Sequence, residues 1–230
     1  ERLSRLMKLT KRLAAVCGEL EKCDTFADVG CDHGYCTLYM LENGLCRTAQ
    51  ISDISAKSLK KAQALLSSYI AEGRVCPVVC DGLAGVDRGT EQVLIAGMGG
   101  EEIVKILSDG FLPPKLVLQP MKNAEKVRAF LLGRGYALLR DHTFYADKKF
   151  YDLIKAVKGG KQEEYNKDML SFGRENIISP TEDFAKMLER DISRCREWRE
   201  SAAEGRAEID ARLKKLEGLY DETCRRLRSH

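Results

Sequence analysis

At 230 residues and 44% hydrophobic content, the chain can bury one full α/β core and still carry a smaller appendage. Its 38 basic and 35 acidic residues leave a net charge of +3, too little to mark a nucleic-acid binder by bulk attraction, so any such role depends on where the charges lie. No apolar run approaches the roughly 20 residues a membrane span needs. The nine cysteines form no CxxC pair and His33, His142 and His230 stand far apart, which speaks against zinc. Cysteines that act as small buried hydrophobes in a reducing compartment fit this pattern, and a cytoplasmic location is expected.

In chain order, residues 1–22 place Leu3, Leu6, Leu13, Val16, Cys17 and Leu20 at helical spacing, with Arg2, Arg5, Lys8, Lys11 and Arg12 on the other face. This predicts a helix with a basic outer side, too amphipathic for a signal peptide. An alternation follows. Strands are expected at Thr25–Val29, Ala49–Ile51, Val75–Cys80, Val93–Ala96 and Leu116–Gln119. Helices are expected between them at Tyr35–Asn43, Ser55–Glu72, Glu101–Ser108 and Asn123–Arg134, with Ser55 and Asn123 as N-caps. Short apolar strands separated by helices imply βαβ units and a largely parallel sheet. Tyr136–Phe144 and Phe150–Val157, linked by Tyr145–Lys149, read as a hairpin that adds one antiparallel strand and brings the sheet to seven.

Gly159-Gly160 marks a change of regime and the expected boundary between a 1–160 domain and a 161–230 arm. The arm shows no strand pattern. Phe184, Leu188, Ile192 and Cys195 form one apolar stripe, and Ile209, Leu213, Leu216, Tyr220, Cys224 and Leu227 form another, with Gly205 between them and Ser179-Pro180-Thr181 as a helix start. An antiparallel, coiled-coil-like hairpin and a single long helix both satisfy this pattern. The arm holds 15 basic and 16 acidic residues, net −1, so residues 1–160 carry +4.

The chemistry concentrates at strand ends. Asp28-Val29-Gly30-Cys31-Asp32-His33-Gly34 follows the first strand and precedes a helix, where glycines let the backbone approach a ligand and free N–H groups face it. Asp53, with Ile54 beside it, ends the second strand, where an acid can hold ribose hydroxyls. Asp81-Gly82 follows the third strand, where a carboxylate can meet an adenine amino group. A dinucleotide-dependent oxidoreductase shares this topology. Acids at Asp28 and Asp32 would repel a pyrophosphate, however, whereas four carboxylates with no expected Arg or Lys nearby suit the cationic sulfonium of S-adenosylmethionine. Gly97-Met98-Gly99-Gly100 after the fourth strand and Gln119-Pro120-Met121 after the fifth lie at the same edge, facing the crevice where such sheets bind ligands. Gln119 has the donor and acceptor to read a nucleobase edge.

These motifs resemble the bacterial tRNA methyltransferases that modify N1 of adenine 22, which have a class I, Rossmann-like methyltransferase fold. The hallmarks stand here as Asp28–Gly34, Gly97–Gly100, Leu118–Pro120 and Lys149-Phe150-Tyr151, and the resemblance extends over nearly the whole chain, including the basic N-terminal helix and the helical arm. One departure is Met121, where many members have Asn; Asn123 lies two places on, and the family's role for that Asn does not carry to position 121.

The resemblance implies S-adenosylmethionine held by Asp28, Gly30, Asp32, His33, Gly34, Asp53, Ile54, Asp81, Gly82, Gly97, Met98 and Gly99. It also implies tRNA held by Arg2, Arg5, Lys8, Lys11, Arg12, Gln119, Pro120, Met121 and Tyr151. Arg194, Arg196, Arg199, Arg225, Arg226 and Arg228 are further phosphate candidates on the arm. Asp32 is the candidate for stabilising the cationic product ring; holding cofactor or capping the helix is its other reading. Tyr35, Met98, Met121 and Tyr151 are candidate walls for a turned-out base. No metal or membrane partner is expected, and monomer and weak dimer are both compatible with the sequence. Two rivals stand beside this reading. One is a methyltransferase of the same fold acting on another RNA base or a small molecule; the other is a non-catalytic nucleotide-binding module.

Overall fold

The computed structural model describes residues 9–202 and 204–229. Arg2, Arg5, Lys8 and His230 lie outside the described residues. Seven strands form one sheet: β1 (Cys23–Val29), β2 (Cys46–Asp53), β3 (Val75–Val79), β4 (Gln92–Met98), β5 (Lys115–Pro120), β6 (Tyr136–Ala146) and β7 (Lys149–Lys158), in the order β3-β2-β1-β4-β5-β7-β6. The first five run parallel, and β7 pairs antiparallel with both β5 and β6. Seven strands, one of them reversed, match the sequence expectation. The order reverses between β1 and β4, which opens a crevice beyond their carboxyl ends.

Helices α1 (Lys11–Gly18), α2 (Tyr35–Glu42), α3 (Ala56–Leu65) and α4 (Ser67–Ala71) are followed by α5 (Gly100–Asp109) and α6 (Ala124–Gly133). One face of the sheet buries Met40, Ile51, Leu59 and Leu94 beneath the first group of helices. The other buries Val93, Ile95, Ile103, Leu116 and Val127 beneath α5 and α6. Strands apolar on both faces are what a sheet covered by helices on two sides requires.

The helix expected over Ser55–Glu72 is broken. Leu66, fully buried, takes φ −99° and ψ 13° between α3 and α4, which turns the chain while keeping its side chain in the core. Ser55 caps α3 by accepting a hydrogen bond from the Ser58 N–H at 3.2 Å. Asn123 precedes α6 as expected but does not cap it. Its φ of 54° turns the side chain away, and its amide donates to Glu101 instead, at 2.8 Å. Strands β6 and β7 extend to a two-residue turn at Asp147-Lys148, both with positive φ (48° and 65°), the geometry that matches strand twist in a tight hairpin.

Beyond Gly159-Gly160 come two short helices that the sequence pattern does not reveal, α7 (Lys167–Phe172) and α8 (Arg174–Ile178). The long pair α9 (Glu182–Ser201) and α10 (Arg206–Arg228) follows. The two long helices run in opposite directions: Arg196 pairs with Glu217 and Arg199 with Asp210, partners whose numbers run oppositely. Thr181 caps α9 through the Phe184 N–H, with Pro180 just before the cap and not inside the helix. Phe184, Leu188, Ile192, Cys195 and Leu216 form the hairpin's own apolar core.

No helix among the described residues is long and apolar enough to cross a membrane. No group of His, Cys, Asp and Glu side chains among them is arranged to hold a metal ion. Cys17, Cys31, Cys36, Cys46 and Cys195 are buried thiols; Cys76 departs from that expectation and is exposed on β3.

Candidate cofactor and substrate site

Parallel pairing puts Asp28 opposite Ile51 and Leu94, and Asp53 opposite Val79, so the acids and glycines at the ends of β1 to β4 share the carboxyl edge of the sheet. The turn after β1 is shaped by glycine. Gly30 (φ 74°) and Gly34 (φ 77°) take left-handed conformations, and the N–H groups of Gly30 and Cys31 both bond to the Ser52 carbonyl, fixing the turn onto β2. The methyl end of Met98 from β4 occupies the place a side chain at Gly30 would need, 2.0 Å from an ideal Cβ. Two expected cofactor residues from different strands therefore touch.

Asp28 is the most unusual of the acids. It is buried, and its partners are neutral: the Thr37 hydroxyl donates to Oδ2 at 3.1 Å, and the Cys31 thiol lies beside it. Loss of solvent raises its pKa from 3.8 to about 6, against the smaller lowering pull of those two neighbours. A desolvated carboxylate without a counter-ion is poised to receive a cationic ligand. Close by, the Ser52 hydroxyl is buried with no hydrogen-bond partner.

The remaining acids overturn one expectation, that no lysine stands near them. Lys61 of α3 reaches Asp32 at 3.0 Å, and Lys105 of α5 approaches Asp81 at 3.8 Å. Both helices pack beside the strand ends, and long flexible amines settle on whatever anions lie within reach. Asp32 also bonds His33 Nδ1 at 2.7 Å, and the His33 ring stacks on Tyr35 at 5.6 Å. Asp53 turns inward to accept from the Ser55 N–H at 2.7 Å, while Ile54 stands 72% exposed, an apolar surface beside it. Gly82 (φ 55°) lies against Ile106, so the Asp81-Gly82 turn leans on α5.

The second glycine loop is laced to the loop after β5. Met121 N–H bonds the Met98 carbonyl at 2.8 Å, and Gly100 N–H bonds the Lys122 carbonyl at 2.9 Å. A Cβ at Gly100 would meet the Asn123 carbonyl oxygen at 2.2 Å, so glycine there serves loop-to-loop packing. Gly97 (φ 81°) is exposed on the crevice side, and Gly99 starts α5, whose first turn carries Glu101 and Glu102.

Arg12 and Gln119 depart from their expected placement. Arg12 does not lie on an outer basic face with exposed Lys11. Its Nη1 donates to Gln119 Oε1 at 2.8 Å, its guanidinium lies 5.9 Å from the centre of the Tyr151 ring, and the same nitrogen is 3.5 Å from where a Cβ on Gly97 would sit. Gln119, fully buried, donates to the Pro120 carbonyl at 3.1 Å and to the Met121 sulfur at 3.5 Å. Its hydrogen-bonding groups are thus spent internally, on orienting Arg12. Tyr151 is buried beneath the arginine and stacks on Phe144 at 5.6 Å, whereas Met121 is 46% exposed and remains available as a wall. Charge periodicity misplaced Arg12 because helix phase alone does not show that α1, packed against α2 and β6, brings the Arg12 side chain over Gln119 and Tyr151. Lys61 and Thr37 carried no sequence signal; each acts only through its approach to an acid distant in the chain.

A doubly wound sheet with a glycine turn after β1, acids at the ends of β1, β2 and β3, and a second glycine loop after β4 defines the Rossmann-like methyltransferase class. The methyltransferase-domain family matches residues 9–154, and the chain belongs to that family. Among curated proteins, the tRNA (adenine(22)-N(1))-methyltransferase of Bacillus subtilis is 29% identical over 172 residues, covering 73% of this chain and 72% of its own. Among solved structures, M. capricolum TrmK in complex with S-adenosyl-homocysteine superposes with a TM-score of 0.85 at 22% identity, covering 94% of this chain and 99% of that one. The B. subtilis m1A22 tRNA methyltransferase TrmK gives 0.79 at 24% identity, covering 94% and 98%. Likeness at these identities shows the fold.

Proposed function

We propose that the chain transfers the methyl group of S-adenosylmethionine to N1 of adenine 22 in tRNA. The observation that carries this reading is the desolvated, uncompensated Asp28 carboxyl at the glycine turn, on the same sheet edge as the Arg12–Gln119–Tyr151 cluster. The B. subtilis relative's name and its coverage of most of both chains support the choice of substrate. When bound, S-adenosylmethionine supplies an electrophilic methyl on a positively charged sulfur.

The residues fit such a group. Asp28 would receive the methionine ammonium, and exposed Gly97 leaves backbone room, while Gly30 and Gly34 shape the turn by packing against Met98 and Leu66. Asp53 with Ile54, and Asp81 with Gly82, would hold the nucleoside end. Asp32 and His33, already paired, shape the turn; the neighbouring Lys61 weakens any field Asp32 would exert on a cationic product ring. The N1 lone pair lies in the plane of the adenine ring and is unprotonated at neutral pH, so attack requires no obligatory base. Alignment of the reactants is therefore the main contribution, and it is capable of lowering a barrier by several kcal/mol. N1 takes part in Watson–Crick pairing, so the base must be unpaired or turned out of its stack. Met98 and Met121 offer apolar walls, and Arg12 offers a charged one. We further propose that residues 1–160 catalyse and 161–230 hold the tRNA, in a reducing, cytoplasmic setting.

Nucleoside mass spectrometry after incubation with S-adenosylmethionine and unmodified bacterial tRNA should find 1-methyladenosine at position 22, and none when that adenine is replaced. Equal methylation of the replaced tRNA would refute the site assignment.

A further inference from the structure

The chain contains one tryptophan, and it stands on the arm, far along the sequence from every residue of the candidate site. Trp198 is 47% exposed on α9. Arg194, one turn earlier on the same helix, holds its guanidinium 5.6 Å from the indole, and Arg212 of α10 approaches to 5.7 Å. Two cations from two helices thus converge on a single half-exposed aromatic ring.

Most of the neighbouring arm arginines are already neutralised. Arg190 pairs with Asp191, Arg196 with Glu217, Arg199 with Asp210, and Arg225 and Arg226 with Glu222. Arg194 and Arg212 have no acidic partner among the described residues and keep their charge for something else. The arm as a whole is net −1, so it does not attract a polyanion by bulk charge. Whatever binds here must recognise a local pattern: a half-exposed flat ring with two guanidiniums over it.

The cluster's position ties it to the catalytic edge. Strand β6 runs parallel to β5, so the β6–β7 turn lies at the carboxyl edge of the sheet, and the Arg12 N–H points at Asp147 in that turn. Phe150, at the start of β7, is covered by Arg190 of α9 at 4.8 Å. Residues 190, 194 and 198 recur every four positions and so share one face of the helix. That face begins at the catalytic edge and reaches Trp198 about 12 Å further along, by the helical rise over eight residues.

We propose that Arg194, Trp198 and Arg212 form a second RNA-holding site, in which an unpaired base takes the guanidiniums' place on the indole and the two guanidiniums turn to bind flanking phosphates. Stacking on an aromatic side chain tolerates any base, and paired cations add the backbone grip that fixes the strand. The site rests on the reading of tRNA as substrate and names the part of the arm that grips it. Of the arm arginines that the sequence offers as phosphate ligands, it selects Arg194 and adds Arg212.

Because Trp198 is the chain's only tryptophan, its fluorescence reports on the site directly. Titrating the full chain with unmodified tRNA should quench the emission saturably, while S-adenosylmethionine alone leaves it unchanged. Trp198→Ala and the double variant Arg194→Gln/Arg212→Gln should each raise the KM for tRNA about tenfold, with kcat at saturating tRNA and cofactor affinity retained; Trp198→Phe should recover most of the loss. The double variant should also flatten the salt dependence of binding by roughly 0.7–0.9 in log–log slope for each phosphate it no longer neutralises. Emission unmoved at tRNA concentrations that saturate methylation of adenine 22 would overturn the site and leave the activity standing. Quenching by tRNA with no methylation of any tRNA would uphold the site and overturn the activity. A quench on concentrating the protein alone, with sedimentation as a dimer, would assign the surface to a second copy of the chain and defeat the proposal.

Discussion

Two polar regions of this molecule, the carboxyl edge of the parallel sheet and the junction between β6 and the arm, solve opposite problems. At the junction, Arg128 of α6 is fully buried and bonds Asp141 at 2.7 Å, Asp152 at 2.6 Å and the Leu170 carbonyl at 3.2 Å. Tyr165 donates to Asp141 at 3.0 Å, and the Asn176 amide bridges Thr143 and the Phe172 carbonyl. Burial works against the Arg128 charge, but Asp152 and Asp141 outweigh it and hold the guanidinium protonated beyond its ordinary range. At the sheet edge, Asp28 is also buried but has only neutral partners. A satisfied charge cluster fastens structure together, whereas a carboxylate left without its counter-ion keeps its interaction free energy for a ligand.

Removing the junction's cation should give the largest effect. Arg128→Met keeps the side-chain bulk but strands two carboxylates, one of them fully buried, and should cost about 3–5 kcal/mol in urea unfolding. Cofactor affinity of the folded fraction should be unchanged. A full loss of cofactor binding at wild-type stability would dissolve the contrast between the regions.

A much smaller effect should follow at the sheet edge from Lys61→Ala, which frees Asp32 of its exposed partner. Exposed pairs contribute at most about 1 kcal/mol, so stability should hardly move, while affinity for a cationic cofactor should rise a few-fold at low salt and converge with wild type at high salt. Calorimetric titration checks it. Weaker binding would mean that Lys61 acts on the ligand itself.

The contrast also explains what the sequence revealed. The sheet edge was legible because glycine turns and acids sit at fixed offsets from apolar strands, so local pattern places Asp28, Gly30, Asp53 and Gly97 together. The seven strands and the helical stripes of the arm followed from periodicity in the same way. The junction was opaque. Arg128, Asp141 and Asp152 fall on separate elements, and nothing in their spacing shows that they meet in the interior. Helices α7 and α8 are too short for periodicity to register, and they are held by that same network. The placement of Arg12 and the approach of Lys61 escaped the sequence for a related reason: the direction of a long side chain is decided by a tertiary neighbour, Gln119 for one and Asp32 for the other.

The account depends most on Asp28 as the anion that meets the cofactor. In the free protein its carboxyl titrates near 6, above the ordinary 3.8, so the folded state holds that proton longer than the unfolded state does. Folding stability is therefore lost as pH rises from about 4 to about 6, by up to about 3 kcal/mol, and stays at the lower level above that. Cofactor binding runs the other way, because an ammonium binds the ionised form. Calorimetric titration of S-adenosylmethionine between pH 5 and 8 should show affinity rising about tenfold, with a midpoint near 6, and level above about 7. Asp28→Asn should bind weakly at every pH and unfold at higher urea than wild type at pH 7. A pH-independent affinity equal in wild type and Asp28→Asn would contradict the account.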